Sequence, residues 1–132
     1  MANNMNVTLK TDVTPNVLDI DDKDGKNKVD KNPNPQTISW NLTGNLAQGQ
    51  FVPMSEAEPG FEWVQQPPTG VFGTPQIGSS GNSLNLTDNH PTADSDGSWT
   101  YQLRVSLDGT VYETTSSAGI KGTVNNPIII NR

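Results

Sequence analysis

A chain of 132 residues with a hydrophobic fraction of 31% has room for one domain with a modest core and long polar loops. Its formal net charge of −6 is repelled by phosphate backbones and anionic lipid, which argues against nucleic acid and membrane surfaces as partners. The absence of cysteine excludes a disulfide framework and thiolate metal sites, and no apolar run approaches the ~18 residues of a membrane-spanning helix.

Ten prolines and 12 glycines are spread almost evenly, which leaves no good site for a long helix. Thr, Val and Ile between clusters of Gly, Pro, Asn and Asp point instead to an all-β chain, read as a single domain over 1–132. The first residues, Met-Ala-Asn-Asn-Met-Asn, have neither a basic run nor an apolar core. No signal peptide is read there, and a cytoplasmic setting is expected, with a mature exported chain as the alternative.

Strands are predicted over 4–11, 16–21, 26–30, 36–43, 49–52, 61–65, 82–87, 98–107, 110–117 and 127–131. The acidic segment from Asp19 to Asp30 has the look of a calcium loop, but the EF-hand register fails. With Gly25 at the sixth loop position, Ile20 would be first and Lys31 twelfth. A hairpin turn at Asp24-Gly25 explains the segment better. Segment 36–43 alternates cleanly, Ile38, Trp40 and Leu42 against Thr37, Ser39 and Asn41, and Leu84 and Leu86 repeat the pattern. Asn6-Val-Thr8, Asn41-Leu-Thr43 and Asn85-Leu-Thr87 match glycosylation acceptors but are read as Asn and Thr usage within strands.

Phe61, Trp63 and Phe72 bracket the Pro67-Pro68 pair and are the candidate ligand-binding residues, because aromatics on a rigid loop can stack on sugar rings or anchor a protein partner. The competing reading buries Phe61 and Trp63 together on one strand face and leaves Phe72 freer. Residues 66–81 are expected to be an irregular crossing, since proline and glycine block regular pairing. Glu56, Glu58 and Glu62 could supply a carboxylate pair for glycoside chemistry but are read as a solvated loop. His90, the lone histidine, precedes Pro91 and is read as a solvated loop residue; no serine has nucleophile-elbow flanks. Asp88, Asp94 and Asp96 could converge at one end of a sandwich as oxygen ligands for calcium, against the plainer reading as turn residues.

The clearest element is a hairpin closed by Asp108-Gly109. Trp99, Tyr101, Leu103, Val105 and Leu107 form an apolar face opposite Thr100, Gln102, Arg104 and Ser106. A two-residue type I′ turn sets Leu107 opposite Thr110, Val105 opposite Tyr112, Arg104 opposite Glu113 on the wet face, and Leu103 opposite Thr114. The terminal Ile128, Ile129 and Ile130 are expected in a strand, covered on both faces or meeting another copy.

Asp94-Ser-Asp-Gly-Ser-Trp-Thr-Tyr101, which opens the hairpin, is similar to the tyrosine-corner region of immunoglobulin-like domains. It departs from that pattern in carrying Trp99 at the tyrosine position and Tyr101 where the cysteine would stand. Phe51-Val-Pro-Met54, Glu58-Pro-Gly-Phe-Glu-Trp63, Pro67-Pro68, Gly97-Ser-Trp-Thr-Tyr101 and Asn126-Pro127 carry a second likeness. Through them, over nearly its whole length, the chain resembles the DP-EP family of small bacterial proteins of undefined function. The resemblance implies a β-sandwich and supplies no catalytic residues.

The sequence therefore reads as an all-β, immunoglobulin-like antiparallel β-sandwich with little or no helix and no cofactor. The function expected is that of a non-enzymatic binding or structural module with an unknown protein or carbohydrate partner, self-association being one mode. The alternative is a calcium- or carbohydrate-binding sandwich module, and a hydrolase comes third.

Overall fold

Side-chain alternation decides which face of each strand turns inward, and in the computed structural model it does so across two packed sheets. Residues 3–12, 14, 16–114 and 127–132 are described. The strands are β1 (Asn3–Lys10), β2 (Val17–Ile20), β3 (Lys28–Val29), β4 (Gln36–Leu42), β5 (Gln50–Phe51), β6 (Phe61–Trp63), β7 (Gln76–Ile77), β8 (Ser83–Asp88), β9 (Gly97–Leu107), β10 (Thr110–Glu113) and β11 (Ile128–Asn131). Each of the ten expected strands has a counterpart; residues 115–117 of the second hairpin strand lie outside the described residues. The eleventh, β7, falls in the stretch expected to be irregular. Its two residues are held at a sheet edge by β8, with Gln76 opposite Asn85 and Ile77 opposite Leu84. The helical segments among the described residues are two short 3-10 turns, Gly44–Leu46 and Ala93–Ser95. No helix among them is long and apolar enough to cross a membrane.

One sheet has the order β2-β1-β4-β8-β7; the other runs β10-β9-β11-β3, with β5 and β6 on the opposite edge of β9. The all-β sandwich forms as expected, but its pairing is not wholly antiparallel, because both sheets are mixed. β1 runs parallel to β4, and β3 runs parallel to β11. After β2 the chain crosses to the other sheet to form β3, and only then returns as β4. That detour is long enough for β4 to lie beside β1 in the same direction, which a tight turn forbids. The crossing also corrects the hairpin expected at Asp24-Gly25. Both residues adopt positive φ, 60° and 75°, as a tight turn needs, but the strands on either side belong to different sheets.

The Asp108-Gly109 hairpin forms as read. Both turn residues have positive φ, 51° and 81°, and Thr110, Tyr112 and Glu113 face Leu107, Val105 and Arg104. Beyond Glu113 a side chain substitutes for backbone: the Thr114 N–H donates to the Leu103 carbonyl at 3.1 Å, and the Leu103 N–H donates to Thr114 Oγ1 at 3.1 Å.

The core sits where the inner faces of β4, β6, β8, β9 and β11 meet. Trp40 from one sheet and Tyr101 from the other are fully buried, and the Trp40 Nε1–H donates to Tyr101 Oη at 3.0 Å. That bond satisfies both polar tips of a buried aromatic pair, which would otherwise each lose hydration. Burial pushes the Tyr101 hydroxyl pKa upward, so it stays a neutral donor and acceptor. Ile129 packs inward while Ile128 stays 39% exposed on the outer face, so the terminal isoleucines divide between two environments.

Arg104 departs from its expected place. It does face Glu113, but its side chain is only 7% exposed. Its Nε donates to Glu113 Oε2 at 2.8 Å, Nη1 to Glu62 Oε1 at 2.9 Å and to the Pro59 carbonyl at 3.1 Å, and Nη2 to Gln102 Oε1 at 2.8 Å. Burial works against the guanidinium charge, but the two carboxylates outweigh it and the net shift in pKa is upward. The outer position is buried because its own partners roof it over. Arg104→Ala should therefore strand two carboxylates and a carbonyl, lowering unfolding free energy by about 2 kcal/mol. Urea denaturation checks this, and a change under about 0.5 kcal/mol, the range of ordinary surface substitutions, would contradict it.

Candidate functional site

The three aromatic candidates are brought together, but not as equals. Phe61 and Trp63 lie on the inner face of β6, opposite Leu103 and Tyr101. Phe61 is buried and stacks on Tyr101 with ring centroids 5.3 Å apart. Trp63 and Phe72 are half-buried at the margin. Trp63 meets Phe61 edge-on at 5.0 Å, Phe72 lies 4.8 Å from Trp63, and Trp99 lies 5.5 Å from Phe72. A continuous aromatic seam thus runs from the centre of the core to the surface. Such a seam holds its outer rings in fixed orientation, because each is wedged by the next. Phe72 is positioned by isolated bridges to Thr69 and Asp88, which pin the proline-rich crossing against β8.

His90 contradicts its expected place most sharply, for it is fully buried. Its Nε2 lies 3.0 Å from the Arg132 main-chain oxygen and 3.3 Å from Asp96 Oδ1. Both are acceptors, so this nitrogen is assigned the hydrogen. Its Nδ1 lies 2.7 Å from Ser95 Oγ, which itself lies 3.0 Å from the Thr92 carbonyl. A serine, a histidine and an aspartate are therefore in series, as nucleophilic catalysis requires. Yet Ser95 and His90 are both buried, so the hydroxyl has no open side from which to meet a substrate carbonyl. The cluster serves to tie the turn at 92–96 to the end of β11. A loop histidine gave no local sign of this, because its partner Arg132 lies 42 residues away.

The acidic candidates lie near one end of the sandwich, where the Asn131 amide donates to both Asp88 and the Ser95 carbonyl, but they do not share a site, and Asp94 is exposed. Asp88 is fully buried and accepts from the Asn131 amide at 3.0 Å, whereas Asp96 is 43% exposed and pairs with Lys31 at 3.0 Å. Among the described residues no group of three or more His, Asp or Glu side chains is arranged to hold a cation. Glu62 is committed to Arg104, while Glu56 and Glu58 lie exposed in the loop before it. A cleft of about 350 Å³ is lined by Lys26, Lys28, Lys31 and Arg132. Three of these four are already paired, with Asp21, Asp96 and Asp30, which leaves little net field for an anion.

The two outer sheet faces differ in kind. Among the described residues, the exposed large apolar side chains, Val64, Val111 and Ile128, belong to the β9 sheet or its margin. The outer face of the β1-β4-β8-β7 layer is polar and uncharged. One row across it reads Asn4, Ser39, Asn85 and Gln76; the next reads Asn6, Asn41 and Ser83; Thr37 and Thr87 make a third. No family model matches this chain, and no curated protein matches it either.

Proposed function

We propose that this chain is a non-enzymatic binding module in an immunoglobulin-like sandwich, acting through its surface on a protein or carbohydrate partner. The observation that carries the reading is the aromatic seam, which presents Trp63 and Phe72 half-buried on a rigid base. Aromatic groups held in this way bind with little loss of side-chain freedom, which is why they dominate binding hot spots. The burial of His90 and Ser95 adds support by withdrawing the one histidine from solvent. The immunoglobulin-like description is supported by the long central β9, with β6 on one edge and the chain-terminal β11 on the other. The DP-EP resemblance, which brings no catalytic residues, agrees with this reading. A cytoplasmic chain and a mature exported one are both compatible with it.

Tryptophan fluorescence offers the test, with Phe72→Ala as the comparison. Titration with an oligosaccharide panel and a peptide library should give one class that perturbs the emission. That class should bind Phe72→Ala at least tenfold more weakly, the size expected on losing a hot-spot ring. Equal binding to Phe72→Ala would remove the seam from consideration as the site.

A further inference from the structure

We propose that the outer face of the β1-β4-β8-β7 layer is a second binding surface, and that its ligand is an extended, neutral polysaccharide. The inference is independent of the aromatic seam. Charged residues make up 17% of the chain, and such residues are placed mostly on a solvated surface. Here three cross-strand rows, led by Asn4-Ser39-Asn85-Gln76, contain none. The nearest charges sit at the β1–β2 margin, where Asp19 lies opposite Thr8, the Asp21 N–H donates to the Asn6 carbonyl at 2.9 Å, and Lys10 ends β1. Meanwhile the chain carries a formal net charge of −6, so its charge has been placed elsewhere.

The chemistry of the face narrows the partner. With no cation in the rows, it cannot neutralise phosphates. Without exposed large apolar or aromatic groups, it lacks what the centre of a protein interface uses, including one with a second copy. What it does offer is amide and hydroxyl groups, each able both to donate and to accept. Neighbouring strands set these about 4.8 Å apart, and alternate residues set them about 6.7 Å apart along a strand. The Ser39 hydroxyl donates to Asn85 Oδ1 at 2.7 Å, which fixes the orientation of that pair in advance. A lattice of mixed donors and acceptors is complementary to the hydroxyls along a neutral sugar chain. Each such bond contributes little on its own, so binding should depend on polymer length.

Affinity electrophoresis in gels containing hydroxyethyl cellulose, xyloglucan or soluble starch tests this, with carboxymethyl cellulose as the charged counterpart. The intact chain should be retarded by at least one neutral polymer and not by the charged one. The double variant Asn41→Asp, Asn85→Asp places two charges on the face while keeping size and an acceptor, and should lose at least fivefold of the retardation. Asn6→Lys on the neighbouring strand guards against a folding defect and should act in the same direction, with melting curves confirming a native sandwich. Three results would each overturn the proposal: no retardation by any of the neutral polymers, retardation unchanged by both variants, or retardation lost only in Phe72→Ala. Sedimentation showing a dimer that these variants dissociate would also overturn it, by giving the face to a second copy.

Discussion

Replacing Asp88 by asparagine is expected to stabilise the protein at pH 7 by about 3 kcal/mol. The Asp88 side chain is fully buried, and burial raises its pKa from 3.8 to about 6, against the opposing pull of the Asn131 hydrogen bond and of His90. Between those two pH values the folded state holds a proton that the unfolded chain has released. Stability therefore falls as pH rises through that window, and the full penalty is present at neutrality. The hydrogen bonding agrees. Asn131 donates its amide to Asp88 Oδ1, while Asp88 Oδ2 and Asn131 Oδ1 are buried without a partner among the described residues. A protonated carboxyl could supply the missing donor, and so could an amide introduced at position 88. Asp88→Asn and the parent chain should thus unfold alike near pH 4 and diverge as pH approaches 7. Exposed carboxylates such as Asp21 and Asp30, whose pKa values are lowered by Lys26 and Arg132, tilt stability the other way. They are common to both proteins and cancel in the difference. Guanidinium titrations at several pH values decide the matter. A difference that is flat with pH, or a variant less stable at pH 7, would contradict the account.

Gly97→Ala is expected to destabilise by about 3 kcal/mol, combining backbone strain with the displacement of a packed ring. Gly97 has a φ of 157°, and a Cβ built there would meet Trp99 Cζ2 at 2.6 Å and Cη2 at 2.7 Å. The Trp99 ring folds back over its own strand start, which explains why glycine stands two residues before it. Trp99 also flanks Phe72, so moving it would loosen the outer end of the seam. Gly109→Ala is the matched control. It too has positive φ, at 81°, but nothing lies within 4 Å of the added carbon. Its loss should stay near 1 kcal/mol, the strain alone. Equal losses at the two positions would mean that ring displacement plays no part.

Strand positions were legible because period-two alternation is a local property, and Trp99 to Leu107 carried it unbroken. The Asp108-Gly109 register was legible for the same reason: two turn residues dictate it. The parallel pairing of β1 with β4 was not, since it depends on where β3 lies in the other sheet. Strand β7 escaped notice because two residues between proline and glycine carry no period, and β8 supplies the order. Of the candidate aromatics, the burial of Phe61 followed from its face on β6. The half-buried state of Trp63 and Phe72 depends on how the crossing folds back over β8. The burial of Arg104 and His90 was hidden, because each is enclosed by partners distant in the chain: Glu62 and Pro59 for the first, Arg132 for the second. The uncharged face could have been found in the sequence. Its signal is the lack of charge at alternate positions over 4–8, 37–41 and 83–87.

That face bears on how the protein is produced. Asn6, Asn41 and Asn85 each begin an Asn-x-Thr triplet, and all three side chains lie on the same outer layer. Passage through a eukaryotic secretory pathway would offer these triplets to oligosaccharyl transfer before folding hides the strands. A glycan at any one of them would cover its neighbours across the sheet, since Asn6 and Asn41 are direct partners. Material from a secretory host and material from bacteria would then be two different surfaces on one scaffold.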